Sequence, residues 1–204
     1  MTHFLSSGLN EKGAMSYSGD GIFYLKLTYK MHKNNDEMIR VNHAGEYGAT
    51  RIYAGQLFVL GDDFTISHMA KQEAEHLHNF QRMLVERRVR PSLLQPFWYI
   101  GGFMMGALTA AMGRNVAHAC TAAVETVIDA HYSDQLIRLE KDGVIETTHD
   151  AELVDLITQC HADECAHRQI AERESGVNLA ATYPILTGVI KAITATAIKV
   201  AKRV

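Results

Sequence analysis

The chain has 204 residues, with 20 Lys and Arg against 23 Asp and Glu, a formal net charge of −3 and 47% hydrophobic residues. One domain with a sizeable core is the default at that length, and the slightly acidic balance leaves no electrostatic footprint for nucleic acid as a partner. Three cysteines without Cys-x-x-Cys spacing exclude a disulfide framework or zinc knuckle and fit a reducing compartment, while only three prolines and long periodic stretches point to an all-α fold.

Residues 1–35 read as an extension ahead of a domain expected over 36–204. Gly, Ser and Asn dominate as far as Asp20, a composition that reads as poorly ordered, and no basic region followed by an apolar run marks a secretory signal. Phe23, Leu25, Leu27, Tyr29 and Met31 then alternate with Tyr24, Lys26, Thr28 and Lys30, a period of two that predicts a strand.

A first helix is predicted over 36–60, with Asp36 as its cap and Gly61-Asp62-Asp63 as its stop. Glu46 falls on its apolar stripe with Ile39, Ala49, Tyr53 and Leu57. A lone carboxylate there reads most simply as a hydrogen-bonded boundary residue. The next helix shifts that balance, because Ile66, Met69, Ala70, Leu77, Phe80 and Leu84 form a stripe that contains Glu73 and His76. Residues three apart share a helix face, so a carboxylate and an imidazole are offered to one point. With a hairpin at Gly61-Asp62, Glu46 lies level with that pair, and buried carboxylates demand a charge partner.

Residues 91–113 carry no charge. Their length qualifies as a membrane span, yet Pro96 and Gly101-Gly102 interrupt it, so interfacial or partly buried packing is expected, with Met104, Met105 and Met112 suited to an adaptable surface or a core. The second half then repeats the first. A helix over 115–141 carries Glu125 among Val124, Ile128, Tyr132, Leu136 and Leu139, and a turn follows at Asp142-Gly143. The next helix carries Glu164 and His167 among Leu153, Leu156, Ile157, Cys160 and Ala171.

Two other Glu-x-x-His pairs are set aside. Glu75/His78 shares a solvated face with Lys71, Gln72, Asn79 and Arg82. Glu146/His149 lies roughly 27 Å behind Glu164 at 1.5 Å per residue and suits a helix start. Cys165 is about 100° around the helix from its neighbour Glu164 and reads as packing. A last helix over 182–204 lines up Ile185, Leu186, Val189, Ile190, Ile193, Ala197 and Val200, with Lys191, Lys199, Lys202 and Arg203 on the other side or at the end. It can lie on an anionic membrane surface or cap the bundle.

Each half therefore offers one Glu from its first helix and one Glu-x-x-His from its second: Glu46, Glu73, His76, Glu125, Glu164 and His167. Such residues projecting into a four-helix bundle are the ligand set of ferritin-like di-iron and di-manganese proteins. Hard carboxylates with imidazole and no thiolate suit iron or manganese over structural zinc. Four carboxylates neutralise two divalent ions, with Glu73 and Glu164 placed to bridge them. The expected fold is a ferritin-like four-helix bundle with two additional hydrophobic or amphipathic helices.

The residues also resemble a family. Arg40-Val41-Asn42-His43-Ala44-Gly45-Glu46-Tyr47-Gly48-Ala49, followed by Arg51-Ile52-Tyr53-Ala54-Gly55-Gln56, is similar to the opening signature of the demethoxyubiquinone hydroxylases of ubiquinone biosynthesis. The similarity continues through 72–77, Arg90-Pro91, 96–106, 119–132 and 163–167. It implies a ferritin-like di-iron monooxygenase whose two Fe2+ per chain are held by the same six residues, with O2 as co-substrate. The implied reaction hydroxylates the ring of demethoxyubiquinol, a polyprenyl benzoquinol. Electrons come from outside the chain, since no Gly-x-Gly-x-x-Gly follows a strand.

The resemblance further implies that His131 and Tyr132 lie near the metals and relay a proton or electron; the plainer reading has Tyr132 filling the core and His131 exposed. It implies peripheral attachment to membrane lipid, at the cytoplasmic face of the cell membrane or the matrix face of the inner membrane if mitochondrial, beside a lipid-binding accessory protein. A homo-oligomer is left open. Two readings from other classes are a ferritin-type iron store, against which the uncharged 91–113 run argues, and a non-catalytic membrane scaffold, which would tolerate Glu164→Ala.

Overall fold

The computed structural model describes residues 19–141, 148–175 and 182–203, with side chains at 34–141, 150–175 and 182–203. Two compact units divide the chain, Met1–Asn35 and Asp36–Val204. In the first, the described backbone is helical from Gly19 onward, as the leading part of helix α1 (Gly19–Leu60). The strand expected at Phe23 to Met31 therefore does not form, and Asp36 lies inside a helix instead of capping one. A single strand leaves its N–H and C=O groups unpaired, whereas residues next to an existing helix extend it at one hydrogen bond per residue without a new nucleus. Of the stretch expected to be poorly ordered, residues 1–18 lie outside the described residues.

The remaining elements of the second unit are α2 (Phe64–Glu86), α3 (Gln95–Ala111), α4 (Arg114–Lys141), α5 (Thr148–Glu174) and α6 (Pro184–Ala201). Every described element is a helix, as the helical periodicity beyond residue 35 predicts and the period-two stretch before it does not. Gly61 ends α1 at φ 69°, a left-handed conformation that costs glycine little, and its N–H bonds Leu57 O at 2.9 Å. Two residues on, Asp63 caps α2 by accepting the Ile66 N–H at 3.0 Å. The turn expected at Asp142-Gly143 lies outside the described residues.

α1 and α2 form one hairpin, α4 packs along α5, and α3 and α6 lie against α4. Where α3 crosses α1 the backbones almost touch. A Cβ at Gly106 would sit 1.9 Å from Ile52 O, and one at Gly55 would sit 2.1 Å from Phe103 O. Only glycine allows that approach.

Apolar layers bracket the middle of the bundle. Ile39, Phe80, Leu84, Leu139, Leu153 and Ile157 pack together on one side, and Tyr53, Ile66 and Met69 on the other. Along α2 the buried positions run Ile66, Met69, Glu73, His76, Phe80, Met83, Leu84, so the charged pair sits between the layers. Glu75 and His78 are exposed, as their polar face predicts.

α3 is 17 residues long, about 25 Å at 1.5 Å per residue, and so falls short of a bilayer core. Among the described residues the helix long and apolar enough to cross a membrane is instead α6, and little of it is buried in the protein. Its expected apolar side divides in two: Ile190 packs against α4 residues, whereas Ile185, Val189 and Ile193 are exposed. α3 likewise exposes Phe97, Ile100, Met104 and Leu108.

Candidate metal centre

Glu46 from α1, Glu73 and His76 from α2, Glu125 from α4, and Glu164 and His167 from α5 meet between the apolar layers, each at most 3% exposed. They fall into two groups whose ligand atoms lie within 4.8 Å of one another: Glu46, Glu73, His76 and Glu164, and Glu73, Glu125, Glu164 and His167. Glu73 and Glu164 belong to both. The two groups thus overlap through two shared carboxylates, and each offers a ligand set that could hold a cation.

Both imidazoles turn Nδ1 inward. His76 Nδ1 is 3.6 Å from Glu46 Oε2 and 3.7 Å from Glu164 Oε1, and His167 Nδ1 is 3.0 Å from Glu73 Oε1 and 3.3 Å from Glu164 Oε2. Both Glu73 oxygens, Glu46 Oε2, Glu164 Oε2, His76 Nδ1 and His167 Nδ1 are buried without a hydrogen-bond partner. A folded protein leaves few such atoms, and six in one cluster fit metal binding there. Burial, then the charge of Glu164, pushes the Glu73 and Glu125 carboxyls far above their ordinary range. Glu164 goes the other way: burial would raise it, but the nearness of His167, His76 and Glu125 outweighs burial and brings it to about 2. On His76, burial is outweighed by Cys160, Glu164 and Glu46, which favour its protonated form. Metal-free, the cluster thus keeps protons where cations would otherwise supply the positive charge.

The two halves are related by a repeat of interactions. Tyr132, seven residues after Glu125, donates its hydroxyl to Glu46 Oε1, and Tyr53, seven after Glu46, donates to Glu125 Oε1 at 3.1 Å. Asn42 and Gln135 exchange amide hydrogen bonds at 2.9 and 2.8 Å, and Gln56 reaches Thr121 at 3.3 Å in the matching position. Outside the imidazoles, His76 Nε2 meets Asp163 Oδ2 at 3.0 Å and His167 Nε2 meets Gln72 Oε1 at 3.1 Å. Tyr53, Gln72, Asp163, Asn42 and Gln135 are not singled out as site residues by sequence reasoning. The available signal was positional: Gln72 and Asp163 each precede the Glu of a Glu-x-x-His, and each tyrosine sits two turns from its glutamate.

Tyr132 is buried on Glu46, whereas His131 is half-buried, its Nε2 2.9 Å from Gln135 Nε2. Burial, then the charges of Lys202 and Arg138, lowers His131 to about 4, so it is neutral. Cys165 stays off the centre, with Sγ 3.3 Å from Asp129 Oδ1. Cys160 is closer than the sequence suggests, grouped with Glu46 and His76, and its thiol is pushed up to about 11 by burial.

A cavity of about 620 Å³ reaches Glu46, Glu73, Glu125 and Glu164, and its wall also includes His131 and Tyr132. Toward the surface it runs between α3 and α6, past Trp98, Met105, Ile128, Leu186 and Ile190 to Phe97, Met104, Leu108 and Ile193.

Residues 33–201 match the model of the family described as ubiquinone biosynthesis protein COQ7. A Rhodospirillum rubrum protein named 3-demethoxyubiquinol 3-hydroxylase is 42% identical over 173 residues, 83% of this chain and 78% of the relative. A Dictyostelium discoideum protein named NADPH-dependent 3-demethoxyubiquinone 3-hydroxylase, mitochondrial, is 43% identical over 83% of this chain and 77% of its own length. A Saccharomyces cerevisiae protein named 5-demethoxyubiquinone hydroxylase, mitochondrial, is 40% identical over 83% and 78%.

Proposed function

Because the chain belongs to the COQ7 family of ubiquinone biosynthesis, we propose that its two linked carboxylate and histidine groups hold a di-iron centre serving ring hydroxylation. The chain is an enzyme of that pathway and hydroxylates demethoxyubiquinol. Its substrate joins a polar ring to an apolar polyprenyl tail. The observation that carries the reading is the cavity, which joins four buried carboxylates to an apolar opening between two helices with exposed apolar faces. An iron store needs a water-soluble exterior, and those faces do not favour it. A scaffold has no use for a cavity reaching its buried charges.

Glu46 and His76 would hold one ion, Glu125 and His167 the other, with Glu73 and Glu164 shared. When bound, iron supplies the redox chemistry that activates O2. One oxygen atom enters the ring as hydroxyl and the other leaves as water, which consumes two electrons and two protons. The protein binds the ring beside the carboxylates, and the apolar wall excludes water there. Tyr53 and Tyr132 fix the orientation of Glu125 and Glu46. Burial, then the nearby glutamates, keeps both hydroxyls protonated. Neutral His131, which lines the cavity beside Tyr132, would exchange a proton with a quinol hydroxyl. The ring would thus lie between His131 and the glutamates, and the tail would leave between α3 and α6 into lipid. Two of the relatives are named mitochondrial, which fits a membrane face there for this chain.

The test loads the full-length protein with ferrous iron without air, then adds demethoxyubiquinol, a reductant and heavy-isotope O2, with mass spectrometry of the quinone. Label in the ring hydroxyl, absent from Glu164→Ala, is expected. Iron oxidation with an unchanged quinone would overturn the reading.

A further inference from the structure

The near-twofold repeat of interactions around the centre breaks in charge at one pair. Tyrosine faces glutamate in both halves, and amide or hydroxyl groups pair in both halves. Outside the imidazoles, however, one half has a carboxylate, Asp163, and the other a neutral amide, Gln72. Both imidazoles point Nδ1 at the glutamates, so a cation held there requires the ring proton on Nε2, where it is donated outward. His76 donates to a full negative charge, and His167 to a carbonyl dipole.

The two outer partners are also linked. Gln72 Nε2 donates to Asp163 Oδ1 at 3.5 Å, which turns the Gln72 carbonyl, and not its NH2, toward His167. A single carboxylate, 28% exposed at the edge of the bundle, therefore heads a chain running His76, Asp163, Gln72, His167. A carboxylate behind a histidine raises its basicity as a ligand more than an amide does, and loss of such a partner typically costs 10–100-fold in metal affinity.

We infer that Asp163 is a positioning residue that makes the two cation subsites unequal, so that the subsite of Glu46 and His76 fills before that of Glu125 and His167. The inference rests on the metal-centre reading and adds an order of filling to it.

Metal-free, full-length protein is titrated with Co2+ under anaerobic conditions and followed by calorimetry and by the visible absorption of the bound ion. Wild type should bind in two steps separated by roughly 10–100-fold. Asp163→Asn should weaken the first step by about that factor, so that the steps merge. Gln72→Ala removes the direct partner of His167 and only an indirect support of His76, so it should weaken the second step more than the first and widen the gap. A merely structural role for either residue would move both steps by the same factor. Circular dichroism of the metal-free variants checks that the fold persists. Two equal steps in wild type, or an unmoved first step in Asp163→Asn, would overturn the inference alone. Absence of Co2+ binding by wild type would overturn the metal-centre reading and the inference with it.

Discussion

At the scale of single residues, the buried tyrosines and His131 carry measurable consequences. Tyr132→Phe removes the hydroxyl that donates to Glu46 Oε1, leaving a carboxylate oxygen of a fully buried residue without its donor. Such a loss costs about 1–3 kcal/mol, so denaturant unfolding of the metal-free protein should show that decrease. Tyr53→Phe, in the equivalent place against Glu125, should cost a similar amount. His131 behaves differently with pH. Its folded value of about 4 lies below the ordinary imidazole value of 6.5, so the unfolded chain takes up a proton first as pH falls. Its contribution is complete above about pH 6.5 and is lost between there and about pH 4, by roughly 3 kcal/mol in all. His131→Gln should therefore be less acid-sensitive than wild type across that window, as read by unfolding midpoints at successive pH values.

At the scale of elements, the contact of α3 with α1 is the least tolerant of added volume. Gly106 and Gly55 face backbone oxygen atoms at 1.9 and 2.1 Å from where a Cβ would stand, and backbone cannot rotate aside as a side chain can. Gly106→Ala should separate α3 from α1 and destabilise the protein by about 1–3 kcal/mol, measured by thermal or denaturant unfolding. Gly45→Ala, where the added atom meets nothing within 4 Å, is the control on the same helix pair. The same displacement would reshape the cavity, because Ile52, Gly102 and Met105 all line it. Loss of quinone turnover should then exceed loss of metal binding, since the proposed ligands are on α1, α2, α4 and α5 rather than on α3.

At the scale of the whole molecule, each of the two helices that frame the cavity mouth carries several exposed apolar residues. Phe97, Ile100, Met104 and Leu108 of α3 and Ile185, Val189 and Ile193 of α6 are 48–82% exposed, a clustering that water does not favour. The protein should float with phospholipid vesicles, and the paired change Leu108→Lys with Ile193→Lys should release it while leaving Co2+ binding intact.

What the sequence determined by itself was local and periodic. The candidate ligand set followed from Glu and His three apart on an apolar stripe, because a helix of known pitch fixes which side chains share a face. Repetition of that unit, with one more glutamate level with each copy, made the bundle legible, and the Arg40 to Gln56 signature carried the family. Tertiary structure alone decided the rest. Phe23 to Met31 look like a strand because period two is a local property, whereas helix extension depends on the element that follows. Which tyrosine meets which glutamate, and that Asp163 and Gln72 stand behind histidines of the opposite half, depends on how two hairpins cross. Those pairs are 72 to 95 residues apart in the chain, beyond the reach of any helical period.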